Sequence, residues 1–299
     1  MKITILTMFP EYFESFLSAP IPKRAMDRGI AQIELVDIKD YAGGCYRHID
    51  DSTFGGGAGM VMRAQPVLDA LAAVRAKEPG AVGLYNVLGT SSAGEKHDFP
   101  VRNGGQEACS RPGEACERTD RGDNPAESAG RNPCSDRKST VTAALTPVGR
   151  LYCQETAARY AGMDHLILIC GHYEGMDERI YAQADERVSI GDYVLSGGEP
   201  AAMVVMDSVL RLLPGVLRAE STAEESFCGR GLLEYPQYTR PADLNGDRVP
   251  DILLSGNHEE IRRWRLRESL RATLAWRPEL LDRTELTEEE QSILSELKS

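Results

Sequence analysis

Three glycine-bearing loops hold the residue types in this 299-residue chain that are best suited to gripping a ligand. They read DDSTFGGGAGM (50–60), CGHYEGMDER (170–179) and SIGDYVLSGGEP (189–200), and each follows an expected strand or precedes an expected helix. Glycine lets main-chain N–H groups come close to a bound molecule. Successive N–H groups at a helix start form a nest for anions or ring acceptors. One such loop is an ordinary turn. Three together suggest a ligand site at the carboxyl ends of parallel strands, where the second and third would lie. The common nucleotide signatures are missing, with no GxxxxGK(S/T) and no GxGxxG after a strand; GGGAG comes nearest. The seven cysteines form no CxxC pair, and His48, His165 and His172 show no spacing suited to a metal or catalytic cluster.

Charge narrows the partners. With 46 acidic against 34 basic side chains the net charge is −12, which argues against binding nucleic acid through a general positive field. Basic residues are instead concentrated in RRWRLRESLR (262–271), so recognition of RNA would have to be local. Arginines spaced along a helix suit phosphate positioning. Trp264 among them could stack on a base, but inward packing is the better reading. Asn257 or Ser255 is the expected N-cap of that helix. No apolar run approaches the roughly 18 residues of a membrane span. The odd cysteine count and the lack of targeting signals fit a reduced, cytoplasmic setting.

The first 80 residues, which must support these loops, alternate strand and helix patterns. Ile3 and Ile5 mark a strand, and Pro10 opens a helix with Phe13, Phe16 and Leu17. Ile33 to Ile38 mark a second strand, and Pro66 starts a helix with Val67, Leu71 and Val74. From about 91 to 139 branched aliphatics nearly vanish, and such a polar tract cannot offset its ordering entropy, so a disordered insertion is expected. TVTAALTPVGR (140–150) reads as a short strand running into a Pro-Gly turn. HLILIC (165–170) reads as a fully buried strand, and Glu199 to Leu213 as an apolar helix ended by Pro214. The succession predicts an α/β fold with a largely parallel sheet. A polar linker (218–232) and a small helical domain with two amphipathic helices (233–299) follow an α/β domain over 1–217.

FGGGAGM, LTPVGR, CGHYEGMDER, SIGDYVLSGGE, PGVL, GLLEYPQYTRP and LLSGNHEEIRRWR occur in this order. In this set the chain resembles the bacterial tRNA (guanine(37)-N1)-methyltransferases over essentially its whole length outside the insertion. The resemblance implies a SPOUT-type α/β domain with a trefoil knot, an S-adenosylmethionine site in that knot and an α-helical C-terminal domain. It also implies a homodimer with shared active sites, tRNA carrying guanosine at position 37 as substrate, and a supporting magnesium ion whose ligands no motif identifies.

Carried over by motif, Pro147 belongs to the first cofactor loop, Gly171, Tyr173 and Glu174 to the second, and Ile190, Gly191, Tyr193, Leu195, Gly197 and Gly198 to the third. Tyr193 and Leu195 also suit core packing, and the two roles coexist in a buried pocket. The family's catalytic carboxylate and arginine fall on Glu225, in EESF, and Arg211, in LRLLPG. Glu225 stands where Asp is more familiar, the spacing from SF to GLL is one residue longer, and Glu224 is a neighbouring rival. Asp50, Asp177 and Arg179 beside the loops, and Asn257, Arg262 and Arg265 in the helical part, are implied tRNA contacts, although capping explains the acids as well. A non-catalytic RNA-binding protein that keeps the fold is the alternative.

Overall fold

The computed structural model describes residues 1–43, 47–77, 139–218, 225–229 and 231–298. The expected insertion lies outside them apart from Ser139, as do Glu224, Cys45, Cys109, Cys116 and Cys134. The elements below belong to one unit, Met1–Arg75 with Lys138–Ser299, which the last residue of one helix oversteps.

In chain order they are β1 (Lys2–Thr7), α1 (Glu14–Leu17), α2 (Pro20–Asp27), β2 (Gln32–Asp37), β3 (Asp50–Asp51), β4 (Val61–Met62) and α3 (Ala64–Ala76). Then come β5 (Thr140–Leu151), α4 (Gln154–Ala161), β6 (His165–Cys170), α5 (Glu178–Tyr181), β7 (Glu186–Ser189) and α6 (Glu199–Leu210). The C-terminal part holds β8 (Asp243–Leu244), β9 (Asp247–Arg248), α7 (Asp251–Leu254), α8 (His258–Trp276) and α9 (Glu288–Lys298).

Five strands form one parallel sheet in the order β2-β1-β6-β5-β7. The central strand β6 is buried along its whole length because both faces of the sheet are covered. Alternation sends Leu166, Leu168 and Cys170 into one core with Tyr160, Val205 and Met206. It sends Ile167 and Ile169 into the other, against Val67, Leu71 and Ile180. The α/β reading is therefore right, and HLILIC is the strand its apolar run predicts.

Several edges differ from expectation. Segment 140–151 does not turn at Pro147. β5 runs on for 12 residues, and its pairing with β7 jumps from Leu145↔Val188 to Arg150↔Val188. Residues 146–149 are thrown out of the ladder, where proline's missing donor costs nothing, and Gly149 lets the strand return against Val188. Helix α6 keeps Pro200 in its first turn but ends at Leu210, not Leu213. In the C-terminal part both amphipathic helices are present, as α8 and α9, around Leu232, Leu270 and Ile293. The unexpected element there is the β8–β9 hairpin, whose turn uses Asn245 and Gly246 at positive φ.

One polar network ties α4 to β7, the edge strand of the sheet. Arg159 grips Glu186 with two hydrogen bonds of 2.6 and 2.7 Å, and the Tyr160 hydroxyl donates to the same carboxylate at 2.8 Å. Burial pushes the Glu186 carboxyl up, but the bonds from Arg159 and Tyr160 outweigh it and hold it below its ordinary value. The stabilisation this brings is complete above the ordinary carboxylate range and is lost as pH falls through the depressed value. Glu186→Gln should thus lower the urea midpoint at neutral pH, and that deficit should shrink in acid. A deficit that stays constant down to acid unfolding would show that the carboxylate charge contributes nothing.

Candidate active site

Beyond the carboxyl ends of β5, β6 and β7 three segments enclose a cavity of about 470 Å³. The bulge after Leu145 supplies Thr146 to Val148, the loop after β6 supplies Gly171 to Met176, and the loop between β7 and α6 supplies Ser189 to Gly191 and Tyr193 to Gly198. Every residue expected to hold the cofactor lines this space: Pro147, Gly171, Tyr173, Glu174, Ile190, Gly191, Tyr193, Leu195, Gly197 and Gly198. Tyr193 and Leu195 are exposed on the cavity wall and do not belong to the core.

Main-chain contacts fix the loops to one another. Gly198 N donates to Gly171 O at 2.7 Å, and His172 pairs with Gly197 as an isolated antiparallel bridge. A Cβ on Gly198 would lie 2.8 Å from both Cys170 Cα and Gly171 N, so only glycine permits this crossing. Tyr173 takes φ +60°, a left-handed conformation that a tyrosine adopts only under constraint. Burial, and then the nearby Asp50 carboxylate, push its phenol up.

The first glycine loop plays a different part from the other two. Apart from Val61 just beyond it, 50–60 does not line the cavity; its arm holds the second loop from outside. Glu174 N donates to Met60 O, Gly175 O accepts from Met62 N, and Asp177 N donates to Met62 O.

Arg211 and Glu225 are brought together. Their side chains form a two-pronged pair, Nη1 to Oε2 at 2.7 Å and Nη2 to Oε1 at 2.6 Å, and both are about a quarter exposed. Its bonds to Glu225 raise the Arg211 guanidinium pKa above its ordinary value. Neither lines the first cavity. Glu225 borders a second one of about 480 Å³, together with Leu232, Tyr235, His258, Arg262 and Arg265.

Comparison with known proteins places this geometry. The family model described as tRNA (Guanine-1)-methyltransferase TrmD matches residues 1–99 and 124–283, and its gap falls inside the polar tract. The chain belongs to this family. Proteins named tRNA (guanine-N(1)-)-methyltransferase from Geobacillus kaustophilus and Moorella thermoacetica are 42% and 41% identical to it. These matches span 99% of the chain, and 98% and 96% of those relatives respectively. The one from Limosilactobacillus fermentum is 40% identical over 100% of the chain and 96% of its own length.

For a family member, the charges expected to meet RNA are already committed within the chain. Asp177 caps α5 and binds Arg179 through Nε and Nη2 at 2.8 and 2.7 Å. Asn257 caps α8 by accepting from Glu260 N. Arg262 is held by Glu259 and Glu289, and Arg265 lies 4.8 Å over the Tyr235 ring. Trp264 is half-buried against Tyr238, in line with packing. Composition displayed a basic run but concealed its acidic partners, which come partly from a different helix.

Sequence reading passed over His172, whose ring borders the cavity and whose Nδ1 is buried with no hydrogen-bond partner. Its place within CGHYEG was the available signal. Among the described residues no group of three or more His, Cys, Asp or Glu could hold a metal ion, and no helix is long and apolar enough to cross a membrane.

The crossing at Gly198 yields a direct test. Gly198→Ala forces backbone apart at Cys170 and Gly171, so affinity of the cavity for a methyl donor should fall by about tenfold or more, an order set by the ~1–3 kcal/mol of overpacking. Titration calorimetry reads the change, and wild-type affinity in this variant would show that the loops are not held by that contact.

Proposed function

We propose that the protein transfers a methyl group from S-adenosylmethionine to N1 of guanine 37 in tRNA. The observation that carries this reading is the convergence of Pro147, the 171–174 segment and the 190–198 segment on one cavity. Its backbone N–H and carbonyl groups suit adenine and ribose, and its volume suits a nucleoside-sized ligand. The trefoil knot implied by resemblance would be wound from these same loops.

Bound there, the donor supplies an electrophilic methyl on a sulfonium. Guanine N1 carries a proton and attacks poorly until it is removed. Glu225 would take that proton as the N1–C bond forms and the S–C bond breaks, while Arg211 donates to O6, where negative charge gathers. The bidentate Arg211–Glu225 pair must open for this, each partner exchanging the other for the edge of the base. Among the described residues no group of three or more His, Cys, Asp or Glu identifies a site for the magnesium ion that the resemblance implies.

No residue lines both cavities, and Arg211 lines neither. This supports a homodimer in which the donor pocket of one copy faces the Glu225 linker of the other, a work shared between subunits in the cytoplasm on tRNA.

Methyl transfer to tRNA transcripts with guanosine or adenosine at position 37 tests the reading. Transfer should require the guanosine. Glu225→Ala and Arg211→Ala should each lose about 100-fold or more in rate while keeping donor affinity. Mixed with Gly198→Ala, the Glu225→Ala protein should regain activity through hybrid dimers. Donor-independent RNA binding with no methylation would favour a non-catalytic RNA-binding protein instead.

A further inference from the structure

Beside the donor pocket lie a buried carboxylate and an unpartnered imidazole nitrogen that the proposed reaction does not use. Glu199 is only 2% exposed. It sits in the first turn of α6, where the helix dipole favours an anion. Its Oε1 accepts the Thr7 hydroxyl at 2.7 Å, and Thr7 Oγ1 in turn accepts from Phe9 N at 2.9 Å. A buried carboxylate is costly unless it is paired or richly hydrogen-bonded. On the other side, His172 Nδ1 is buried with no partner, a cost of the same kind.

These two groups face one another across a single glycine. A Cβ built on Gly197 would lie 2.5 Å from Glu199 Oε2 and 2.7 Å from His172 Nδ1. Gly197 is also the residue whose backbone pairs with His172 and whose loop closes the donor pocket.

We propose that His172 is a positioning residue for the methyl donor. When the donor binds, His172 and Glu199 come together across Gly197 through one shared proton, and that N–H···O bond clamps the second loop onto the third. The inference rests on the donor-pocket reading above and adds to it a proton-linked fastening.

Other charges around the ring do not supply the bond. From the segment after β1 the Phe9 ring lies 5.0 Å away, and the Lys39 ammonium lies 4.8 Å from that ring's centroid. From the loop itself come Tyr173, edge-on at 5.0 Å with Asp50 near it, and Glu174. From β6 comes the Cys170 thiol, pushed up by burial and then by Glu199, and therefore neutral. Of these carboxylates, Glu199 is the one whose oxygen and the His172 Nδ1 both lie within 3 Å of a Cβ built on Gly197.

A hydrogen bond to a carboxylate is stronger from imidazolium than from neutral imidazole. A clamp that forms on binding is therefore linked to uptake of a proton, and affinity falls as pH rises.

Titration calorimetry with S-adenosylhomocysteine in phosphate and in Tris reads the uptake as a buffer-dependent heat. The ligand's own groups are the same for every protein, so the difference between wild type and variant is the quantity of interest. Wild type should take up a fraction of a proton near neutrality, and its affinity should fall about tenfold from pH 6 to 8.5, as one pKa unit of coupling gives. Glu199→Gln should bind without that uptake and with a flat profile. His172→Gln, at a half-buried site that spares the core, should do the same if the first variant folds poorly. Binding by wild type with no difference in uptake from His172→Gln overturns the proton link and leaves the donor pocket standing. No binding at any pH removes both.

Discussion

Close backbone approach at the carboxyl end of β6 governs how the rest of the site is arranged. Cys170 and Gly171 leave the centre of the sheet and run directly against Gly197 and Gly198, which lead into α6. Side chains cannot occupy that crossing, so main-chain hydrogen bonds take their place, Gly198 N to Gly171 O above all. A joint of this kind has few soft degrees of freedom, because a shift in one loop drags its neighbour. The loops around the cavity are fixed to one another by peptide groups, which suits a ligand read through ring nitrogens and hydroxyls. It also explains why the third loop can display Tyr193 and Val194 to solvent at little cost: its position is fixed from its glycines, and its side chains do not have to anchor it.

Much of this was legible in the sequence, for reasons that can be named. β6 announces itself because both faces of a parallel sheet are covered, leaving no polar alternation to blur an all-apolar run. The glycine loops announce themselves because tight crossings exclude other residues. What stayed hidden depended on long-range pairing. Pro147 and Gly149 read locally as a turn, yet β7 recaptures the strand at Arg150, and nothing near 147 reports that partner. The NG pair at Asn245–Gly246 did carry a hairpin signal, but flanks of two residues each lack the alternation that would have called attention to it. The helix α2 begins Pro-Ile-Pro, a pattern that suggests a loop unless the first proline is placed at the helix start.

Electrostatics shows the same division between local and distant information. RRWRLRESLR looks like a free basic face, yet Arg262 meets Glu289, Arg267 meets Glu296, and Arg271 pairs with Glu268. This reconciles a net charge of −12 with RNA as the proposed partner. Exposed ion pairs are individually weak, so a phosphate that delivers charge and several acceptors at once can displace a carboxylate at small cost. Non-specific polyanions, offering the phosphate without a fitting shape, must break the same pairs with less in return. In the proposed reading, internal pairing would act as a filter on RNA shape.

The Arg211–Glu225 pair obeys similar logic at closer range. In the free chain each group neutralises the other with two short bonds. In the proposed reaction a base can separate them only by offering a replacement for each. Guanine does so on one edge, since its N1–H and exocyclic amino group are donors for the carboxylate and O6 is an acceptor for the guanidinium. Adenine reverses the pattern, with an unprotonated N1 that meets a carboxylate lone pair to lone pair and an amino group that faces the arginine. Adenine would therefore leave the pair both broken and unsatisfied, and a buried polar mismatch discriminates far more strongly than a missing contact. In the proposed reaction, selectivity for guanine and readiness to remove its N1 proton would then come from the same two side chains.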